Sequence, residues 1–180
     1  MGVLNRRPHR AGVRSAALHG LSLSLARQPR LVAFARALVR GLPARDRLAR
    51  IAAVFSFVSR AADLRMATGV GPGTSLSALM RIAGEDQSAA LVLCAMLQAL
   101  GERARVERTR ELAFVRVEVD PRDVARLPPH TLLIVTRGGP RYYLPLDARR
   151  AKSPLGFLPR PVREALSRRR GIAAASFTAA

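Results

Sequence analysis

The sequence has 180 residues, 31 Lys and Arg against 12 Asp and Glu, and a formal net charge of +19. That length suits one domain with extensions rather than two full-sized domains, and a 49% apolar fraction excludes wholesale disorder even though Ala supplies 31 residues. One cysteine excludes an internal disulfide framework and a Cys-rich zinc site, and the longest apolar run, near Ala89 to Leu97, is far short of the ~20 residues that span a bilayer.

Residues 1–45 hold nine Arg and no acid. Their Arg-rich, Ser-containing, acid-free composition is that of an organellar transit peptide, and Arg6 and Arg7 ahead of Ser15 to Ala26 have the order of a secretory signal. His19 and Gly20 interrupt that apolar stretch and no A-x-A pattern follows it, so a cytoplasmic location is the expectation. Residues 1–29 show weak periodicity and predict loose packing. Pro29 with Leu31, Phe34, Ala35 and Leu38 predicts a short amphipathic helix stopped by Gly41-Leu42-Pro43.

Leu48, Ile51, Phe55 and Val58 recur at three- and four-residue steps, which predicts a core helix over 44–62. Gly69, Gly71, Pro72 and Gly73 mark a loop, and Ser75 caps a short helix carrying Leu76, Leu79 and Ile82. The segment from Gly84 to Gly101 is apolar on every face between Ala89 and Leu97, which predicts a helix buried all round, with Asp86 near its start and Gly101 at its C′ position.

Strands follow. Ala104 to Glu107 alternates, and so does Ala113 to Val119; Thr131 to Thr136 and Arg141 to Leu146 flank Gly138-Gly139-Pro140, a hairpin signal. Between them, Asp120-Pro121-Arg122-Asp123 predicts a turn and short helix. Beyond Ala148 the prolines predict an extended tail, then a short helix from Pro161 to Arg169 and an unstructured Ala-rich end. One buried helix followed by an antiparallel sheet is an α+β arrangement.

Gly84-Glu85-Asp86-Gln87-Ser88-Ala89-Ala90 through Leu100-Gly101-Glu102-Arg103-Ala104-Arg105 resembles the nucleophile helix of the transglutaminase-like superfamily, whose pattern is G-D-C-x-D-x-A, an apolar helix, then A-L-G-x-x-A-R. Leu112 to Val117 resembles the family's H-A-W-V-x-V strand, and Tyr143-Leu144-Pro145-Leu146-Asp147 its final strand ending in P-L-D. The resemblance covers roughly 46–150 and implies a papain-like fold, with a central helix packed on a small antiparallel sheet behind N-terminal helices. It divides the chain into a basic arm with a short helix (1–45), a transglutaminase-like domain (46–150) and a basic Pro/Arg/Ala-rich tail (151–180).

Enzymes of that family place a Cys at the helix N-terminus, where the dipole lowers the thiol pKa, with a His and an Asp on neighbouring strands. Carried over by position, the Cys becomes Asp86, the His becomes Leu112, and only the Asp is kept, as Asp147. Asp86 forms no thioester and Leu112 moves no proton, so the resemblance implies a catalytically inactive pseudoenzyme needing no cofactor or metal. Cys94 falls eight positions past Asp86, about 12 Å along the helix, and reads as a small core residue. His9 and His19 sit in the arm with no partner in reach, and His130 reads as an exposed loop residue.

The expected role is therefore a binding or structural module, with basic ends that contact the acidic surface of a partner protein. Arg6 and Arg7 at one end, and Arg168, Arg169 and Arg170 at the other, are the expected binding residues. Two alternatives stand beside it: a hydrolase or transferase with altered chemistry at Asp86 and Asp147, and a basic nucleic-acid-binding protein that engages phosphates through counterion release. Transglutaminase-like domains occur among bacterial and phage-encoded chains, which suits an accessory role.

Overall fold

Leu48, Ile51, Val54, Phe55 and Val58 form one apolar stripe at helical spacing, and all five are buried in the computed structural model. The structure describes residues 10–68, 85–110, 112–129, 131–136, 141–149, 153–168 and 172–176. The helices among them are α1 (Arg10–Ala26), α2 (Pro29–Leu38), α3 (Arg47–Thr68) and α4 (Glu85–Ala99). Pro29 opens α2, where its missing N–H costs nothing. Asp46 caps α3, its Oδ1 accepting from the Ala49 N–H at 3.3 Å.

Helix α4 is buried from Ser88 to Leu97 because it has neighbours on all sides: α1, α2 and α3 around it, and the first two strands beneath. It ends at Gly101, whose φ of +86° is the left-handed conformation glycine supplies without a Cβ penalty. The Gly101 N–H donates to the Gln98 carbonyl at 2.9 Å and the Glu102 N–H to the Leu97 carbonyl at 3.0 Å, so the chain turns straight back into the sheet.

The sheet contains β1 (Ala104–Arg108), β2 (Ala113–Val119), β3 (Leu132–Thr136), β4 (Tyr142–Leu146) and β5 (Ile172–Ser176) in the order β1-β2-β4-β3-β5, every pair antiparallel. Alternation sorts its side chains. Ala104, Val106, Ala113, Val115, Val117 and Leu144 share the main core with α4. The opposite face carries Leu112, Phe114, Leu132 and Ile134, covered by Leu158 and by Val162 and Leu166 of helix α6 (Arg160–Ser167). A four-residue helix, α5 (Pro121–Val124), links β2 towards β3, as the Asp120-Pro121 turn predicts.

Two expectations need correction. Residues 10–26 form a helix rather than a loose arm, with Leu18, Ser22 and Leu25 buried. The middle of that stripe is a serine, which breaks the apolar period in the sequence; in the structure its hydroxyl donates to the His19 carbonyl at 2.8 Å, so burial leaves no unpaired donor. Leu21 and Leu23 face outward instead, 52% and 41% exposed. Second, the Ala-rich end is a strand: Ile172–Ser176 pairs with Leu132–Thr136 along its whole length. Ala is a poor strand former in isolation, but the open edge of β3 offers a full row of backbone partners. Both ends of the chain pack on the central part: α1 and α2 contact α4, α6 covers the sheet's other face, and β5 pairs with β3. The short helix expected after Ser75 and the turn at Gly138-Gly139-Pro140 lie outside the described residues.

Candidate functional site

The end of the sheet where β2 begins and β4 finishes holds two of the three positions the family resemblance singles out. β2 and β4 pair Val115 with Leu146, and the next step along the same ladder sets Asp147 beside Phe114, two residues from Leu112. Helix α4 runs antiparallel to β1. The Gln98 Nε2 donates to the Ala104 carbonyl at 2.9 Å, and one turn earlier Cys94 meets the Val106 backbone. Asp86 lies eight residues nearer the start of the helix than Cys94, about 12 Å along its axis. Only the backbone is described at Asp86.

Two of the three side chains are described. Leu112 is 2% exposed among Phe114, Leu158 and Val162, on the face turned away from α4. Its backbone is fixed by Thr109, whose Oγ1 accepts from the Leu112 N–H at 3.1 Å while the Thr109 N–H donates to the Leu112 carbonyl at 2.8 Å. The Asp147 carboxylate is fully covered and faces Arg149, with Nε 3.1 Å from Oδ1 and Nη2 3.2 Å from Oδ2. Oδ1 also accepts from the Arg149 backbone N–H at 3.2 Å. Asp147 therefore serves as the acceptor of a buried turn.

Cys94 is completely buried, and burial pushes its thiol up to about 11, with Ser22 and the Val106 backbone pulling weakly the other way. A thiol so placed is a core residue, as its position in the helix predicts. His19, expected to be partnerless, is not: its Nδ1 lies 3.4 Å from Gln98 Nε2. Burial holds its pKa below the usual value, and the nearby charges of Arg105 and Arg116 lower it further against the opposing pull of Glu107.

Ion pairing explains where the cationic excess goes. Every carboxylate whose side chain is described has an arginine nitrogen at 2.6–3.6 Å. The largest node is Arg47, which reaches Glu102 at 2.6 Å, Asp120 at 2.8 Å, Asp123 at 3.6 Å and the Glu118 carbonyl at 3.1 Å. The hydrogen bond to Glu102 is the main reason its pKa rises above that of a free guanidinium, ahead of the desolvation that opposes it. With the described acids engaged on a few arginines, cations such as Arg36, Arg40, Arg105 and Arg141 project from the surface with no ion pair among the described residues.

Two clefts around the carboxyl end of α4 bring some of these cations together with arginines that are already engaged. One, of about 570 Å³, is lined by Arg36, Arg40 and Arg50. The other, of about 370 Å³, lies between α1 and the uncovered part of the sheet and is lined by Arg103, Arg105, Arg116, Arg141, His19 and Tyr143, and also by Glu102 and Glu118. The sequence reading did not single out these residues. The signal was present in the polar half of the strand alternation, Arg105 and Glu107 on β1 and Arg116 and Glu118 on β2. Of the expected binding residues, Arg168 is exposed at the end of α6, and Arg6, Arg7, Arg169 and Arg170 lie outside the described residues, as does His130.

Compared with known proteins, the chain matches no family model, no curated protein and no solved structure. Among the described residues no helix is long and apolar enough to cross a membrane, and no three His, Cys, Asp or Glu side chains gather as metal ligands.

Proposed function

We propose that this chain is a catalytically inactive, transglutaminase-like module that works by binding, its arginine surface contacting a partner protein with an acidic face. The observation that carries the reading is the burial of Leu112 in an apolar cluster, where the family's mechanism needs an imidazole beside a thiolate. The other two requirements fail alongside it. The one thiol is locked in the core with its pKa pushed to about 11, and Asp147 is engaged by Arg149. A binding role is supported by the charge: carboxylates inside ion pairs and unpaired arginines outside give a surface complementary to acid.

The deciding experiment assays glutamine-donor transfer and peptide hydrolysis with the full chain, while a labelled Asp- and Glu-rich peptide is titrated in parallel. The expected result is no turnover above that of an Asp86→Ala, Asp147→Asn variant, with peptide binding that weakens as salt rises. Turnover abolished by Asp86→Ala overturns the reading and favours altered chemistry at the two carboxylates.

A further inference from the structure

The uncovered part of the sheet has an arrangement that folding alone does not favour. Arg105 on β1 and Arg116 on β2 stand directly opposite one another, a like-charge pair that costs stability in an antiparallel ladder. Arg116 is held in place: its guanidinium stacks 4.8 Å from the Tyr143 ring centroid, and its Nε lies 3.2 Å from Glu107 Oε1. That approach is off the axis a hydrogen bond requires, so the buried Nε–H keeps no acceptor. Arg141 enters from the start of β4 and Arg103 from the approach to β1; His19 closes the cleft from α1. The two carboxylates in the lining are engaged, Glu102 by Arg47 at 2.6 Å and Glu118 by Arg103 at 3.4 Å. Among the described residues Arg105 and Arg141 have no such partner, and both are exposed.

We infer that this 370 Å³ cleft binds a phosphate group, held between Arg105 and Arg116 with Arg141 as the third cation. A carboxylate presents two oxygens and one charge, which a single guanidinium fork satisfies. Three guanidinium groups, one of them held by its stacking on Tyr143, suit a ligand with three terminal oxygens and close to two charges. Such a dianion converts the Arg105–Arg116 repulsion into two attractions. The neighbouring 570 Å³ cleft is a weaker candidate because its Arg50 already donates to the Leu100 carbonyl at 3.4 Å, at the negative end of α4. The site is separate from the acidic-partner reading: it is a defined cleft and does not need the rest of the arginine surface.

Inorganic pyrophosphate is titrated calorimetrically into the full chain, while the His19 ring protons are followed by NMR. Saturable binding is expected, with the His19 resonances moving towards the protonated position as the anion offsets Arg105 and Arg116. Arg105→Ala and Arg141→Ala each weaken it by about tenfold, the scale of one lost charge-assisted hydrogen bond. Arg60→Ala with Arg122→Ala, two exposed arginines outside the cleft, leaves it within about twofold, the scale expected of surface substitutions away from the site. A competition arm identifies the source of the phosphate. Displacement of pyrophosphate by a short single-stranded oligonucleotide that carries a 5′-terminal phosphate, sensitive to the same two variants and lost without that phosphate, assigns it to a nucleic-acid end; failure to compete assigns it to a small molecule. Equal weakening by the control variant, equally tight binding of a Glu-rich peptide in the cleft, or an unmoved His19 overturns the site. A silent glutamine-donor assay has no bearing on it, and turnover there leaves it standing.

Discussion

Arg47 is the place where one substitution should cost most at a charged position. Its guanidinium ties the start of α3 to the approach to β1 through Glu102 and to the β2–α5 turn through Asp120 and Asp123. Removing it with Arg47→Met leaves the Glu102 carboxylate, 5% exposed, without its cation. Breaking a fully buried pair from one side costs about 3–5 kcal/mol. Arg47 itself is 29% exposed and Asp120 68%, so water screens the site and the second arm contributes only at the surface scale. The expected loss is roughly 2–3 kcal/mol, a fall of about 4–12 °C in Tm for a chain of this length. Urea unfolding followed by circular dichroism measures it, and a cycle with Glu102→Met separates the pair from its surroundings. Glu102→Met alone costs about 1 kcal/mol because Arg47 keeps Asp120 and Asp123, and the double variant is expected to recover about 1–2 kcal/mol of coupling. A loss under about 0.5 kcal/mol with an unchanged slope, or a cycle with no coupling, refutes the reasoning that buried Glu102 depends on Arg47.

Three further outcomes follow from single residues. Gly156 has φ +76° and a Cβ built there meets the Thr131 side chain and sits 3.0 Å from the Leu132 carbonyl, whereas Gly101 has φ +86° and open space; Gly156→Ala should therefore lower the urea midpoint well beyond the roughly 1 kcal/mol expected of Gly101→Ala. Cys94 should resist a thiol reagent at pH 8 until urea unfolds the chain, and since its folded pKa of about 11 exceeds the ordinary thiol value of 9.0, stability should fall as pH rises from about 9 towards 11; rapid labelling of the native protein would contradict its burial. His19 works in the other direction. Its folded pKa is lowered, so the unfolded chain binds the proton first and stability should drop as pH falls through 6.5; His19→Asn should flatten the urea midpoint between pH 7.5 and pH 5.5, in a region where Arg105, Arg116 and Glu107 supply the local field.

Much of the fold was legible because its strongest signals are periodic. The three- and four-residue steps of Leu48 to Val58, the all-round apolar run from Ala89 and the alternation of Ala113 to Val119 each correspond to an observed element. What escaped was whatever depends on a partner distant in sequence. Ser22 looks like a break in a helix until its hydroxyl finds the His19 carbonyl, and Ile172 to Ser176 looks inert until the β3 edge is placed beside it. The cleft escaped for the same reason. Arg105 and Arg116 are 11 positions apart in the sequence and meet only when β1 and β2 pair, while His19 joins them only because α1 packs on α4 and β1.

That convergence alters what the +19 charge means. Divided along the chain, 14 of those charges fall in the two ends, and the central 46–150 segment contributes only +5. Folding redistributes the effective charge. The central acids face inward onto Arg47, Arg103, Arg116 and Arg149, where they join α3, β1, β2 and the β4 turn. An acid used at a joint no longer neutralises the outer surface, so a segment with a small net charge still presents strongly basic patches. Arg105 beside Arg116 is the sharpest of them, because the ladder register forces the two cations together and Tyr143 keeps one from turning away. Repulsion that the fold holds in place costs stability in the free protein, and a bound anion recovers it. Binding and stability are thus coupled at this cleft in a way that the exposed arginines elsewhere, free to swing apart in water, do not reproduce.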